Sequence, residues 1–263
     1  MAISSGTSVV RTWLLIPGIP GSARTWELLR RHVPPDTQIH CWPLEDWHVG
    51  DESADAELAK LEKALCATIT AMRAPVVLVG HSFGGWLAAR ALSRVGGQVE
   101  RAVLVGAMAR LPPEHAAALR DIGATLASGQ LDRAQFAEDV RALTLPGVQE
   151  DADGASRLCA MADRMGQMRT AALLTLAGQL ATPAHAVRPF QTPADVIHSA
   201  GDQAMPLAYG EELARLGSRA RLRVFGGDSH FPHWAHAAEL AQIVFDNTGC
   251  SASLPAGGMI DGI

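Results

Sequence analysis

The chain has 263 residues, of which 48% are hydrophobic and 19% charged, and its formal net charge is −5. This length and composition predict a soluble globular protein with a substantial core, and they exclude a disordered or collagen-like chain. The mild acidity and the scattered arginines argue against nucleic acid and anionic membranes as partners, and no apolar run approaches the roughly 20 residues that a membrane helix needs.

Short runs typical of strands alternate with helical patterns along most of the chain. The predicted strands lie at 12–16, 38–42, 76–79, 101–105, 195–198 and 221–225. The predicted helices include 54–72, in which apolar residues recur every three or four positions, the stretch that follows residue 82, and 236–245. Such alternation predicts an α/β fold with a mostly parallel central sheet and helices on both faces.

The segment 110–189 is different, because it is rich in Ala, Leu, Met, Arg and Asp and has no run typical of a strand. We interpret it as a helical cap inserted into a core formed by 1–109 and 190–248, with a flexible tail at 249–263. Its apolar residues either pack in a core or line an apolar pocket, and Met161, Met165 and Met168 are the candidates for contact with a ligand in such a pocket.

The stretch Gly80-His81-Ser82-Phe83-Gly84 follows an aliphatic run and precedes a helical pattern. A nucleophilic serine projects from such a strand-to-helix turn in a strained backbone conformation, and side chains two residues before and after it would collide. The pattern predicts Ser82 as a nucleophile, with a plain glycine-rich turn as the alternative. The Phe83 amide, at the start of the helix, is a predicted oxyanion donor.

A serine hydroxyl attacks poorly without a base to remove its proton and an acid to orient that base. Asp202 follows the strand predicted at 195–198, and His230 follows the strand predicted at 221–225. The order Ser82, Asp202, His230 is the order that a nucleophile turn of this kind requires. These three residues are therefore the predicted catalytic triad.

Other residues compete for these roles. His233 is the main rival for the base, whereas Asp195 begins its predicted strand and Asp228 is too close to His230 in sequence to orient it. A metal site formed by His230, His233 and His236 is a weaker alternative, because their spacing is not the i, i+4 spacing that places two imidazoles on one helix face, and no acidic third ligand is indicated. No cofactor motif is present, and we expect neither a metal nor a cofactor.

The loop after the first predicted strand, residues 16–21, reads IPGIPG. The Ile19 amide is the candidate for a second oxyanion donor, because Pro17 and Pro20 have no N–H group. The two glycines of the loop let its backbone approach a ligand closely.

Together, GHSFG, the D-x-x-x-P of residues 202–206 and the GGDSHFPHW of residues 226–234 resemble the α/β-hydrolase superfamily, from about residue 12 to residue 247. Within it, the chain resembles compact esterases and acyl-transfer enzymes with a helical cap, and carboxylesterases of the kind that cleave the methyl ester of a pimeloyl carrier protein look similar in layout. The resemblance implies an α/β-hydrolase fold with Ser82, Asp202 and His230 as triad and with the Ile19 and Phe83 amides as oxyanion donors.

Two features depart from the pattern of that superfamily. Pro17-Gly18 stands where many members have His-Gly, whose histidine usually braces the loop. The D-x-P-G-x-G loop after the next strand is replaced by CWPLEDWHVGDES at 41–53. There Trp42 and Trp47 are predicted to be wall or packing residues of the pocket, and Trp42 is a further candidate for substrate contact.

These residues predict a serine hydrolase that cleaves carboxylic esters through an acyl-enzyme, with a small-molecule ester or acyl compound as substrate. A thioesterase and a C–C hydrolase or lyase would use the same residues, and a receptor that captures a ligand without turnover is the alternative from another class. We expect a monomer or homodimer. The expected location is the cytoplasm, since the chain shows no signal peptide and no C-x-x-C spacing.

Overall fold

Six parallel strands form one sheet within the described residues, which are 12–34, 37–72, 75–144 and 152–245 of this computed structural model. The strands are β1 (Thr12–Ile16), β2 (Gln38–Cys41), β3 (Val76–His81), β4 (Val99–Val105), β5 (Ala194–Ser199) and β6 (Ala220–Phe225). Their order across the sheet is β2–β1–β3–β4–β5–β6, and every neighbouring pair is parallel. The predicted parallel sheet is confirmed.

Helices connect the strands. They are α1 (Glu27–Arg30), α2 (Ala54–Ala71), α3 (Phe83–Val95), α4 (Pro113–Ala127), α5 (Arg133–Thr144), α6 (Ala152–Met165), α7 (Gln167–Ala177), α8 (Leu207–Leu216), α9 (Pro232–Ala235) and α10 (Ala237–Phe245). All six predicted strands are present, and their bounds differ from the predicted ones by no more than two residues. No helix in the described ranges is long and apolar enough to span a membrane.

The helix predicted at 236–245 is present as α10, and it begins one residue later than predicted, at Ala237. His236 leaves the helical conformation, with φ −127° and ψ 42°, and separates α9 from α10. Its ring stacks on Phe225 with 4.9 Å between the ring centroids, and its Nδ1 lies 3.1 Å from a carboxylate oxygen of Glu239. These two contacts hold His236 outside both helices.

The two faces of the sheet are both covered, because alternate strand residues point to opposite sides. Leu14, Leu78 and Leu104 belong to a buried cluster with α2 and α3. Trp13 and Val77 belong to a second cluster, on the other face, with α10. The inner strands β1 and β3 are therefore fully buried and mainly apolar, whereas the edge strands β2 and β6 carry polar residues and are partly exposed.

The order of the strands also locates a crevice. The chain passes from β1 to β2 at one side and returns to β3 on the other side of β1. In open parallel sheets ligands bind outside the carboxyl ends of the strands at such a reversal. The loop after β1 and the turn after β3, which carry Ile19 and Ser82, both lie there.

The segment between β4 and β5 is helical, as predicted, and contains α4 to α7 with no strand among its described residues. Helix α4 packs on α7, and a small cluster of Leu126, Phe136, Ala171 and Leu174 lies between these helices and α5. Leu173 of α7 belongs to the buried cluster that contains Leu14, Leu78 and Leu104, which is the main core. The boundaries 110–189 remain a prediction, and the tail predicted at 249–263 lies outside the described residues.

Candidate active site

Ser82 occupies a strained turn between β3 and α3. Its φ of 52° and ψ of −121° make it the one non-glycine residue with positive φ in the described part of the chain. A Cβ on Gly80 would lie 2.5 Å from the Gly84 carbonyl oxygen, and a Cβ on Gly84 would collide with the Pro17 carbonyl oxygen. Both glycines are thus required by close backbone approaches, as the motif predicted.

Asp202 and His230 form a buried pair. His230 Nδ1 lies 2.7 Å from Asp202 Oδ2, and Asp202 Oδ1 accepts hydrogen bonds from the amides of Ala204 and Met205 at 2.9 and 2.8 Å. Burial raises the pKa of Asp202, but the charge of His230 and the hydrogen bonds from His230 and the Met205 amide outweigh it and hold the pKa below its usual value.

This pair defines the tautomer of His230. An ionised carboxylate only accepts hydrogen bonds, so the hydrogen of a neutral His230 ring is on Nδ1 and donates to Asp202. Its Nε2 is then unprotonated, and an unprotonated ring nitrogen is what a general base needs.

Gly106, which directly follows β4, lies beside both Ser82 and His230. The Ser82 amide donates to the Val105 carbonyl at 2.9 Å, and a Cβ on Gly106 would lie 2.9 Å from His230 Cε1. The His230 ring therefore rests against the backbone next to Ser82. The Ser82 side chain makes no capping hydrogen bond to α3, so its own helix does not hold the hydroxyl.

The loop after β1 passes directly over the serine, since a Cβ on Gly18 would lie 3.0 Å from Ser82 Cβ. Within the described ranges, neither the Ile19 amide nor the Phe83 amide donates to a backbone carbonyl. N–H groups at the carboxyl edge of the sheet, one of them at the start of a helix, are of the kind that binds an oxyanion.

The loop is braced without the histidine that many similar proteins have at the position of Pro17. Ser22 and Thr25 form a reciprocal cap at the helical turn after the loop. The Arg24 amide donates to the Ser22 hydroxyl at 3.2 Å, and the Ser22 amide donates to the Thr25 hydroxyl at 3.3 Å. Both side chains are buried, which limits the movement of the loop end.

The rival residues lie in different surroundings. His233 is fully buried, and its ring nitrogens make no hydrogen bond of ordinary geometry among the described residues. Burial and the proximity of His230 lower its pKa to about 3, and the nearby Thr25 main chain raises it only in part. Asp195 lies 2.7 Å from Arg223 at the amino-terminal end of β5, and Asp228 is exposed. Asp202 therefore pairs with His230 and not with His233.

The metal alternative has no counterpart in the described part of the chain, where no group of three or more His, Cys, Asp or Glu side chains could hold a metal ion. His236 is turned toward Glu239 and Phe225, and His233 packs against Trp26 with ring centroids 4.9 Å apart. These contacts separate the three histidines of the alternative into different environments.

The residues predicted to contact substrate are not brought together. Trp42 is buried and stacks on Trp47, with ring centroids 6.1 Å apart, and Met165 is buried in the main core. Met168 is 65% exposed near the start of α7. Trp42 and Met165 thus act as packing residues, and Met168 packs in none of the buried clusters.

Met161 is the exception, because it reaches the loop that carries His230. It is fully buried in a cluster with Leu158, Phe231 and Trp234, and the Thr25 hydroxyl donates to its sulfur at 3.3 Å. The helical segment therefore places an apolar side chain of α6 next to the residues that flank His230.

Two arginines join the helical segment to the loop after β2. Arg164 Nε lies 3.4 Å from Glu45 Oε1, and Arg169 donates to the Glu45 carbonyl oxygen. The Glu45 carboxylate is 6% exposed, so the contact with Arg164 is partly shielded from water.

Sequence reasoning missed His81, which contacts the His230 loop. Its Nε2 lies 3.0 Å from the His230 carbonyl oxygen, and the two rings are 4.7 Å apart. The second position of G-x-S-x-G accepts any residue, so the motif contained no signal for this role.

A cavity of about 690 Å³ lies at the opposite edge of the sheet. It is lined by residues near the amino-terminal ends of β4, β5 and β6, among them Val99, Thr192 and Arg219. None of the predicted site residues borders it, so it is separate from the candidate active site.

The fold and this arrangement define a class of protein. A model of the Alpha/beta hydrolase family matches residues 13–243, and the chain therefore belongs to the α/β-hydrolase family. Membership implies a hydrolase with a small-molecule substrate, and the resemblance inferred from the motifs is confirmed.

Named relatives agree with this class. The chain is 30% identical over 247 residues to pimeloyl-[acyl-carrier protein] methyl ester esterase from Aromatoleum aromaticum, covering 89% of this chain and 96% of the relative. A hydrolase from Pseudomonas aeruginosa has a TM-score of 0.72 at 18% identity, with 94% and 92% of the two chains covered. A thermophilic esterase from Thermogutta terrifontis has a TM-score of 0.69 at 18% identity, with 91% and 90% covered.

Proposed function

We propose that the chain is a serine hydrolase that cleaves carboxylic esters with Ser82 as nucleophile, His230 as general base and Asp202 as the acid that orients it. The observation that carries the proposal is the buried 2.7 Å contact between Asp202 and His230 at the edge of the sheet where Ser82 projects. A hydrogen-bonded acid and base beside a strained serine are the parts that activate a hydroxyl.

In the first half of the reaction, Ser82 Oγ attacks the ester carbonyl carbon while His230 Nε2 takes the hydroxyl proton. The amides of Ile19 and Phe83 stabilise the resulting oxyanion. The carbon–oxygen bond to the alcohol then breaks, and His230 returns the proton to the leaving oxygen.

In the second half, water attacks the acyl-enzyme while His230 takes its proton. The acyl group leaves as a carboxylic acid when the bond to Ser82 breaks and the serine oxygen regains the proton. Asp202 remains ionised throughout and stabilises the imidazolium that forms in each half.

For the substrate class we propose small or medium apolar acyl esters. Two observations support this class. The side chains of Met161, Phe231 and Trp234 form an apolar cluster next to His230, and the relative that is 30% identical is named for a methyl ester. Oxygen esters and thioesters present the same carbonyl carbon to Ser82, so the test compares a matched pair of the two.

The test combines labelling and turnover. A fluorophosphonate probe is expected to label the wild-type protein and not Ser82→Ala, and methyl and 4-nitrophenyl esters of apolar acids are expected to be hydrolysed only by the wild type. Substantial turnover by a folded Ser82→Ala variant would refute the proposed nucleophile. Faster hydrolysis of the thioester in a matched oxygen-ester and thioester pair would identify a thioesterase instead.

A further inference from the structure

Two buried side chains hold successive carbonyl groups of the loop that carries His230. The Ser199 hydroxyl, at the end of β5, donates to the Ser229 carbonyl at 2.6 Å, and His81, at the end of β3, lies with Nε2 3.0 Å from the His230 carbonyl. Both side chains are 2% exposed. The base loop is thus tied to the carboxyl ends of two different strands.

His81 is a donor in this contact. A carbonyl oxygen only accepts, so Nε2 carries the hydrogen, and Nδ1 has no hydrogen-bond partner among the described residues. Burial lowers the pKa of His81 well below its usual value, and His233 and His230 lower it further. The ring therefore stays neutral, and it keeps one hydrogen on the nitrogen that faces the loop.

His81 lies in the chain directly before the predicted nucleophile, so its hydrogen bond to the His230 carbonyl connects the two residues. His81 is the last residue of β3 and pairs with Val105 of β4, so its backbone is part of the sheet. Ser82 follows it directly. One residue thus joins the strand that presents the nucleophile to the main chain of the residue that acts as base.

Resting on the proposed function, we propose that His81 is a positioning residue for ester hydrolysis. Its Nε2–H group holds the His230 main chain and so sets the distance between His230 Nε2 and Ser82 Oγ. Misplacement of a catalytic group by about 1 Å costs on the order of 100-fold in rate. Loss of this hydrogen bond is therefore expected to lower turnover.

Packing alone does not explain the contact, as the neighbouring His233 shows. His233 is also fully buried. Its ring centroid lies 4.6 Å from that of His81 and 5.4 Å from that of Phe231. Its ring nitrogens make no hydrogen bond of ordinary geometry among the described residues, and the main-chain group that influences its pKa belongs to Thr25 and not to the loop that carries His230. The two histidines share an environment and differ in the bond to the loop.

This difference provides the experiment, in which His81→Leu and His81→Gln are compared with the matched variant His233→Leu. His81→Leu removes the donor and is expected to lower kcat by about 10- to 100-fold, with KM changed by less than about threefold because no substrate contact is lost. His81→Gln retains an N–H group at a similar reach and is expected to restore kcat to within about fivefold of the wild type. His233→Leu is expected to keep kcat within about threefold, since it removes buried ring area and no hydrogen bond to the His230 main chain.

Equal losses in His81→Leu and His233→Leu, or no restoration by His81→Gln, would overturn the proposal in favour of a packing role. If His81→Leu does not fold, the pair of His81→Gln and His81→Asn decides, because asparagine is too short to reach the carbonyl and is expected to be the slower variant. Equal rates for that pair would also overturn it. Failure of the proposed function is distinguishable, since it would appear as turnover by Ser82→Ala.

Discussion

His230 Nδ1 lies 2.7 Å from Oδ2 of Asp202, a residue 28 positions earlier in the chain, and both side chains are buried. We expect Asp202→Asn to lower kcat by about 10⁴-fold, because the amide leaves the base without its negative partner and favours the wrong tautomer. Steady-state hydrolysis of an activated ester measures the effect.

Asp195→Asn is the matched control for that substitution. Asp195 is also buried and lies 2.7 Å from Arg223, but it is at the amino-terminal end of its strand. We expect it to lower the melting temperature and to leave kcat of the folded enzyme nearly unchanged. A comparable loss of kcat in both variants would contradict the assigned role of Asp202.

The contact between Gly84 and the loop after β1 leads to a second prediction. A Cβ on Gly84 would collide with the Pro17 carbonyl oxygen and lie 2.5 Å from the Ile16 carbonyl oxygen. Gly84→Ala must therefore move either the loop after β1 or helix α3. We expect a loss of about 1–3 kcal/mol in the free energy of unfolding and a large fall in kcat. Gly97→Ala is the control, since a Cβ there meets nothing within 4 Å, and both are compared by urea unfolding and ester hydrolysis.

The backbone of Ser82 predicts a difference between two inactive variants. Alanine retains the Cβ at φ 52°, whereas glycine adopts this conformation without strain. Strain at such positions costs on the order of 1–3 kcal/mol, part of which the greater freedom of unfolded glycine offsets. We expect Ser82→Gly to be more stable than Ser82→Ala by about 1 kcal/mol in denaturant unfolding, and the reverse order would show that the turn is not strained.

The Ile19 amide is tested by removing its hydrogen. Ile19→Pro eliminates the N–H group, and loss of one oxyanion donor typically costs about 10²- to 10³-fold in kcat. Ile19→Ala keeps the amide and shortens the side chain, so it is expected to retain most of kcat. If the two variants were equally active and had unchanged circular dichroism spectra, the Ile19 amide would not be the second oxyanion donor.

The lowered pKa of His233 leads to a prediction about how the free energy of unfolding depends on pH. Its pKa is about 3 in the folded protein and 6.5 in its usual state, so between these values the unfolded chain binds more protons and stability falls as the pH falls. The lowered pKa of His81 acts in the same direction. For each such histidine the slope approaches about 1.4 kcal/mol per pH unit.

We therefore expect His233→Leu to flatten the decline in stability between pH 6 and pH 5, measured by urea unfolding. Asp202 has a lowered pKa, so the stability that it contributes is lost only as the pH falls below the usual carboxylate value of 3.8. The chosen interval thus isolates the histidines. An unchanged slope in His233→Leu would contradict the buried neutral state of this residue.

Much of the fold could be predicted because it depends on local pattern. Aliphatic runs such as Val76–Val79 and the three- and four-residue spacing of leucines in α2 do not depend on which elements are neighbours. The break at His236 could not be predicted, because it depends on contacts with Phe225 and Glu239 in the folded chain. The helical spacing of 236–245 alone gave no reason for a stop.

The candidate site divides in the same way. By itself, the sequence determined the candidates for the chemistry. They are a serine between glycines after a buried strand, followed in order by an acid and a histidine, because turn sterics and strand order restrict the residue types at these positions. Only the tertiary structure decided that Asp202 pairs with His230 and not His233, that Met168 is exposed, and that His81 reaches the His230 carbonyl. Those relationships join residues far apart in the chain, so they depend on packing that no local pattern encodes.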